Sequence, residues 1–203
     1  MIKKRRSYRI LVLLMSMFVL SFSGNAQKGY EEGFVVLNSK DTLYGSIKDR
    51  KEHPFGKLYK KIRFKGKRTT KYKPSQILAY KKGGSTFESK WISSSGGFLN
   101  QNCTIILGVG EPRFLKVVQK GFLSYYYLEH EDEDSGYIES VGYFKKEDDP
   151  SLIRVSQGVF GLRRKNLTQF LDDCPDLAVE IKNKITKNPR EIVTRYNNCK
   201  RKN

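Results

Sequence analysis

Phe34-Val35-Val36-Leu37-Asn38-Ser39-Lys40-Asp41-Thr42-Leu43-Tyr44-Gly45-Ser46-Ile47-Lys48 is two short extended runs around a turn. The first is apolar, and Asn38 to Asp41 are turn formers. In the second, Leu43, Gly45 and Ile47 alternate with Tyr44, Ser46 and Lys48. That period of two places one face against a core and the other in water, the signature of an antiparallel hairpin. Leu58 to Lys65 repeats it, with Leu58, Ile62 and Phe64 on one side and Tyr59, Lys61, Arg63 and Lys65 on the other. After a turn at Gly66, Thr69 to Lys73 continues the sheet.

The same signals extend downstream to about Ser156. Further strands are expected at Gln76–Lys82, Thr86–Ile92, Cys103–Gly108, Arg113–Lys120, Phe122–Glu129, Tyr137–Lys145 and Leu152–Val155. Gln119-Lys120-Gly121 fits a tight hairpin with glycine at the left-handed position, and Ser93-Ser94-Ser95-Gly96-Gly97 has the composition of a flexible loop. About ten closely spaced strands make an antiparallel sandwich or barrel.

The period changes after Gly161. Leu167, Phe170 and Leu171 form one helical stripe, Leu177, Ala178, Ile181 and Ile185 a second, and Ile192, Val193 and Tyr196 a third. Pro175 and Pro189 suit first helical turns, and Asn188 with Glu191 three residues on reads as a cap with its acidic partner. The expected architecture is therefore α+β: a β-rich domain over 27–157 and a three-helix segment over 158–203 packed on it. Short helices are marginal in isolation and need that packing.

The 203 residues include 39 Lys+Arg and 21 Asp+Glu, a net charge of +18, with 38% hydrophobic residues. Twelve Phe, twelve Tyr and one Trp are enough for a packed core, which excludes a disordered polyampholyte and a disulfide-dense mini-protein. The basic residues begin at once. Lys3, Lys4, Arg5, Arg6 and Arg9 precede the thirteen-residue, mostly apolar run Ile10–Phe22, and small residues stand at Gly24 and Ala26. This is the layout of a cleaved secretory signal over 1–26, since roughly 20 apolar residues are needed to cross a bilayer. Cleavage after Ala26 leaves 34 basic and 21 acidic side chains, a net +13. The expected compartment is the periplasm or the exterior, with no membrane anchor after cleavage. There, anionic envelope polymers or an envelope protein replace nucleic acid as the partner of a basic surface.

Export bears on the thiols. If the helices on either side of Asn188 are antiparallel, Cys174 lies fourteen residues before the turn and Cys199 eleven after it. At 1.5 Å rise per residue their axial mismatch is about 4–5 Å, within reach of a disulfide. A Cys174–Cys199 bridge is the expected pairing, with free thiols the alternative, and Cys103 reads as a buried strand thiol.

No pattern of catalysis stands out. The two histidines, His53 and His130, lie outside any H-E-x-x-H or G-x-S-x-G motif, and there is no C-x-x-C. His53 reads as solvated, and Gly108-Val109-Gly110 as a strand-to-strand turn because the third glycine of a dinucleotide fingerprint is missing. The run Glu129-His130-Glu131-Asp132-Glu133-Asp134 is rich in oxygen ligands but lacks calcium-loop spacing, so it reads as a solvated hairpin loop, with a weak cation contact as the alternative. No catalytic residue, metal or cofactor is expected.

The strongest charge feature is Lys57, Lys60, Lys61, Arg63, Lys65, Lys67, Arg68, Lys71 and Lys73, nine cations without an intervening acid, interleaved with Tyr59, Phe64 and Tyr72. Two readings stand: a solubilising edge that discourages strand pairing, or a polyanion-binding face with salt-dependent affinity. The function expected from these features is a non-enzymatic binding or structural module of the cell envelope; a small envelope hydrolase with an unrecognised site is the alternative.

Gly33-Phe34-Val35-Val36 followed by Asp41-Thr42-Leu43-Tyr44-Gly45-Ser46-Ile47 resembles the opening of a family of exported proteins of Gram-negative bacteria, G-x-I/V and then G-D-T-I-x-G-x-I. Tyr72-Lys73-Pro74-Ser75-Gln76-Ile77, the hairpin Phe114–Tyr126 and the ending Phe170-Leu171-Asp172-Asp173-Cys174-Pro175 to Tyr196-Asn197-Asn198-Cys199 are also similar. Here Lys40 occupies the place of the first glycine of G-D-T. The resemblance implies export and this architecture, and it transfers no activity.

Overall fold

A computed structural model describes residues 29–51, 57–95, 102–132, 135–156 and 161–202. Eleven strands follow one another: β1 (Glu31–Leu37), β2 (Thr42–Arg50), β3 (Leu58–Lys65), β4 (Thr69–Tyr72), β5 (Ile77–Lys82), β6 (Ser85–Ser95), β7 (Asn102–Ile105), β8 (Glu111–Gln119), β9 (Leu123–Glu131), β10 (Ile138–Lys146) and β11 (Ser151–Arg154). A single 3-10 turn, Pro74–Gln76, separates β4 from β5. Helices α1 (Arg164–Phe170), α2 (Pro175–Lys182) and α3 (Pro189–Lys202) close the chain. The α+β class and the barrel-like body are as the alternation and the later change of period predict.

All pairings are antiparallel. Strands β4-β3-β2-β1-β5-β6 form an open sheet, while β6-β7-β11-β10-β9-β8 close through β6–β8 into a six-stranded barrel. Strand β6 belongs to both. Its residues 85–88 pair with β5, 87–92 with β8 and 92–95 with β7. Ser93–Ser95 are therefore strand rather than loop, because β7 satisfies their backbone groups; Gly96 and Gly97 lie outside the described residues.

Three apolar clusters follow from the alternation. Leu115, Tyr126, Tyr143, Leu152 and Cys103, with Ile92 against them, supply one side chain from each of the six barrel strands and fill its interior. The opposite faces of β9 and β10 present Leu123, Tyr125 and Phe144 to Leu167, Leu171, Leu177, Ile181, Ile192, Val193 and Tyr196 of the helical segment. The open sheet buries Val35, Ile47, Ile62, Phe64, Ile77, Tyr80 and Phe87, with Phe114 of β8 packed against them.

The first two helices end earlier than their stripes suggest, while α3 runs on past Tyr196. Helix α2 stops at Lys182, Lys184 takes a left-handed φ of 63°, and Ile185 is exposed instead of continuing the second stripe. Asn188 caps α3 by accepting the Arg190 N–H at 2.9 Å, while Glu191 sits beside Arg195. Cys174 and Cys199 are disulfide-bonded, with Cα atoms 6.4 Å apart, and Cys103 is a free, buried thiol. No described helix is long and apolar enough to cross a membrane.

Two turns differ in mechanism from their expected form. Gly121 is not left-handed; a Cβ there would stand 2.2 Å from Asn197 Nδ2, whose side chain bonds the backbone N–H and C=O of Leu123 at 2.7 and 3.1 Å. Glycine at 121 thus admits the α3 asparagine that pins the helix to β9. In the β1–β2 turn, Lys40 carries φ 72°. That is the conformation glycine adopts without cost, so Lys40→Gly is expected to raise stability by about 0.5–1 kcal/mol. Urea denaturation reads the change, and an unaltered or lower midpoint would contradict it.

Candidate functional site

The nine cations of the basic cluster ride on the β3–β4 hairpin and its flanks. Alternation turns Ile62 and Phe64 into the core of the open sheet and leaves Lys61, Arg63 and Lys65 on the other face. Cross-strand register extends this face. Arg63 stands opposite Lys71 of β4 and Lys48 of β2, so three cations form a row across three strands. Arg63 also lies over the Tyr59 ring at 4.6 Å, a cation–π contact that holds its guanidinium along the sheet. Lys57, Lys60, Lys61, Lys67, Arg68, Lys71 and Lys73 are exposed, and Arg63 and Lys65 partly so.

Ion pairs elsewhere in the molecule give this face its meaning. The salt bridges among the described residues engage Arg50, Lys82, Lys90, Arg113, Lys116, Lys120, Lys146, Arg195 and Lys200, and none of the nine hairpin cations. Lysines next to one another raise the local potential, and like charges opposite each other on strands cost stability. The face is also the end of the open sheet, since β4 is an edge strand. An aromatic, cationic, strand-edge surface of this kind suits a chain of anionic groups whose spacing need not be fixed.

A second site, which the sequence did not announce, lies between the open sheet and the barrel. A cleft of about 690 Å³ is lined by residues including Asp49, Arg50, Tyr80, Phe114, Glu129 and His130. Asp49 is only 3% exposed and its carboxylate accepts four hydrogen bonds: Arg50 Nε and Nη2 at 3.0 and 2.9 Å, Lys82 Nζ at 2.9 Å and the Tyr80 hydroxyl at 3.1 Å. Arg50 reaches on to Glu129 of the barrel at 2.7 Å. Burial pushes the Asp49 carboxyl up, but hydrogen bonds and charge from Arg50 and Lys82 outweigh it and bring it down to about 2. Burial is also the main reason the Tyr80 hydroxyl is held well above its ordinary range, with Asp49 adding to it.

Glu129 therefore leaves the acidic run and joins this network, instead of the solvated loop expected for it; strand β9 continues to Glu131. Asp132 accepts the Ser135 N–H and hydroxyl at 2.8 and 2.6 Å in the turn, and Glu133 and Asp134 lie outside the described residues. His130 stands 3.7 Å from Glu139, and His53 lies outside the described residues. Among the described residues no group of three His, Cys, Asp or Glu side chains could hold a metal ion.

No family profile matches the chain, and no curated protein or solved structure matches it either. The site must therefore be read from its own chemistry. In the cleft, a carboxylate saturated by four donors and kept ionised is a poor general base, and its role is to tie β2, β5 and β9 together. The hairpin offers the reverse: its nine cations are exposed or partly exposed, and none of them takes part in the salt bridges among the described residues.

Proposed function

We propose that this protein is an exported, non-enzymatic binding or structural module of the cell envelope that engages anionic polymers through the β3–β4 hairpin. The observation that carries this reading is that none of the nine cations at Lys57, Lys60, Lys61, Arg63, Lys65, Lys67, Arg68, Lys71 and Lys73 takes part in the salt bridges among the described residues. Export is supported by the Cys174–Cys199 disulfide, which persists in oxidising compartments, and by the basic-then-apolar leader. In that setting lipopolysaccharide phosphates and acidic glycans are the available polyanions.

Retention on immobilised heparin, with lipopolysaccharide as competitor, tests the reading. Simultaneous Lys61→Glu, Arg63→Glu and Lys65→Glu substitution is expected to move elution to low salt. It should also lower the slope of log affinity against log salt by about three, one for each lost contact. All three positions lie away from the core, so near-UV circular dichroism should be unchanged. Equal retention of the variant and the native chain would defeat the proposal and leave the lysines as an edge guard.

The cleft keeps a hydrolase as the second reading, because it brings Asp49, Glu129 and Tyr80 into one concavity. The ion pairs that occupy both carboxylates weigh against it.

A further inference from the structure

The barrel has a polar end that the hairpin does not share. Alternation along β6 sends Glu88, Lys90 and Ile92 toward the interior; Ser124 and Tyr126 of β9 and Tyr143 and Lys145 of β10 do the same. Near the β8–β9 turn Lys90, Ser124, Tyr126 and Lys145 meet Lys120 around a cavity of about 440 Å³, a size suited to a small molecule, with Glu147 and Arg201 also in its lining and Ile105 and Phe122 on its apolar side.

The charges there do not balance. Glu88 takes Lys90 at 3.0 Å and Lys120 at 2.9 Å, and it also accepts the Tyr126 hydroxyl at 2.9 Å. Lys120 donates to that same hydroxyl oxygen at 2.8 Å. Lys145 donates to main-chain carbonyls instead, that of Lys146 at 2.5 Å and that of Glu147 at 3.4 Å. The neighbouring Lys146 is engaged with Asp173 at 2.8 Å and faces the rings of Phe170 and Tyr196. With Lys146 set against Asp173, the cavity carries Lys90, Lys120, Lys145 and Arg201 against Glu147 of its lining and Glu88 beside it, an excess of two positive charges.

Partial burial makes such an excess costly. Burial lowers the proton affinity of the Lys145 amine; Asp149 and Asp148 counteract this, while Lys90 and Lys120 add to it. An ammonium carries three N–H donors. Lys90 and Lys145 each retain at least one that is uncommitted among the described residues, whereas Lys120 meets both Glu88 oxygens and the Tyr126 hydroxyl; Lys90 comes from β6, Lys145 from β10 and Lys120 from the β8–β9 turn. Arg201 brings one guanidinium fork, of the kind that meets a planar carboxylate, to the lining; the separate ammonium charges converging from several directions suit a tetrahedral oxyanion. A phosphate monoester carries close to two negative charges at neutral pH, which matches the excess.

We propose that this end of the barrel is a binding site for a small phosphomonoester, with Lys90 and Lys145 contacting its oxygens, Lys120 adding its charge beside them, and the apolar side of the cavity receiving its organic portion. The site shares no residue with the basic hairpin, so it stands or falls separately from polyanion binding.

Isothermal titration with glycerol phosphate on the whole protein tests it. A saturable, one-site heat is expected, weakened at least about tenfold in Lys145→Met, as befits the loss of a charge-assisted hydrogen bond. It should be unchanged in the Lys61/Arg63/Lys65 charge-reversed hairpin. Acetate should give no comparable heat. Absence of saturable binding at millimolar ligand, equal affinity in Lys145→Met, or loss in the hairpin variant alone would each overturn the proposal, as would equal binding of acetate. If Lys145→Met does not fold, Lys90→Gln replaces it with the same thresholds.

Discussion

Asp49→Asn is expected to destabilise the protein by about 3 kcal/mol, read as a lower chemical-denaturation midpoint at unchanged m-value. Removing one member of a buried ion pair costs roughly 3–5 kcal/mol because the partner charge is stranded. Here the cost falls at the low end. Arg50 keeps Glu129 at 2.7 Å and Lys82 keeps Glu31 at 3.2 Å, so neither cation loses all its acids. The substitution also replaces an oxygen that accepts from Lys82, Arg50 or Tyr80 with an amide that donates toward them.

The pH dependence has a definite sign. The Asp49 carboxyl is brought down to about 2 from an ordinary 3.8. The ionised form is therefore favoured by folding, and its stabilising contribution is fully present above the unfolded value. That contribution, about 2 kcal/mol, is lost as pH falls through the window between 3.8 and about 2. The gap between the native chain and Asp49→Asn should narrow across that window and stay constant from pH 5 to 7. A gap that widened on acidification would show that the carboxylate is not held ionised by these partners.

Loss of the disulfide is the second large effect. Cys174 and Cys199 are separated by 25 residues, for which the chain-entropy relation gives about 3.5 kcal/mol. The bridge joins the start of α2 to the far part of α3, and Ile192, Val193 and Tyr196 of α3 pack on Leu123, Tyr125 and Phe144 of the barrel. Cys174→Ser with Cys199→Ser should therefore loosen the helical segment first and expose the outer face of β9. The expected results are a lower melting temperature, early thermolysin cleavage within α2–α3, and one reactive thiol per native chain after denaturation without reductant, that of Cys103. Three reactive thiols would mean that the bridge does not form, and an unshifted melting temperature in the double variant would mean that packing alone holds the helices.

Local pattern was a good guide wherever one face of an element meets water. Lys61, Arg63 and Lys65 against Ile62 and Phe64 declare both a strand and its orientation. In β9, Leu123-Ser124-Tyr125-Tyr126 is buried on both faces, between the barrel interior and the helices, so no alternation of polarity marks it. Only the turn before it marks it in the sequence. Whether the strands make a sandwich or a barrel depends on β6 pairing with β8 across 19 to 29 residues, a closure with no local signature. Asp49 was equally silent. Within Lys48-Asp49-Arg50-Lys51 it reads as one more surface charge, and only Tyr80, Lys82 and Glu129, brought in by the fold, turn it into a brace. The trio Lys90, Lys120 and Lys145 is equally illegible, because each lies on a different segment and only the closure of the barrel brings them together.

The shared strand β6 has a thermodynamic consequence. Phe87 and Glu88 are laddered to β5 on one side and to β8 on the other. The open sheet therefore cannot peel away without unzipping the seam that closes the barrel. Melting of the two halves is coupled through this one strand.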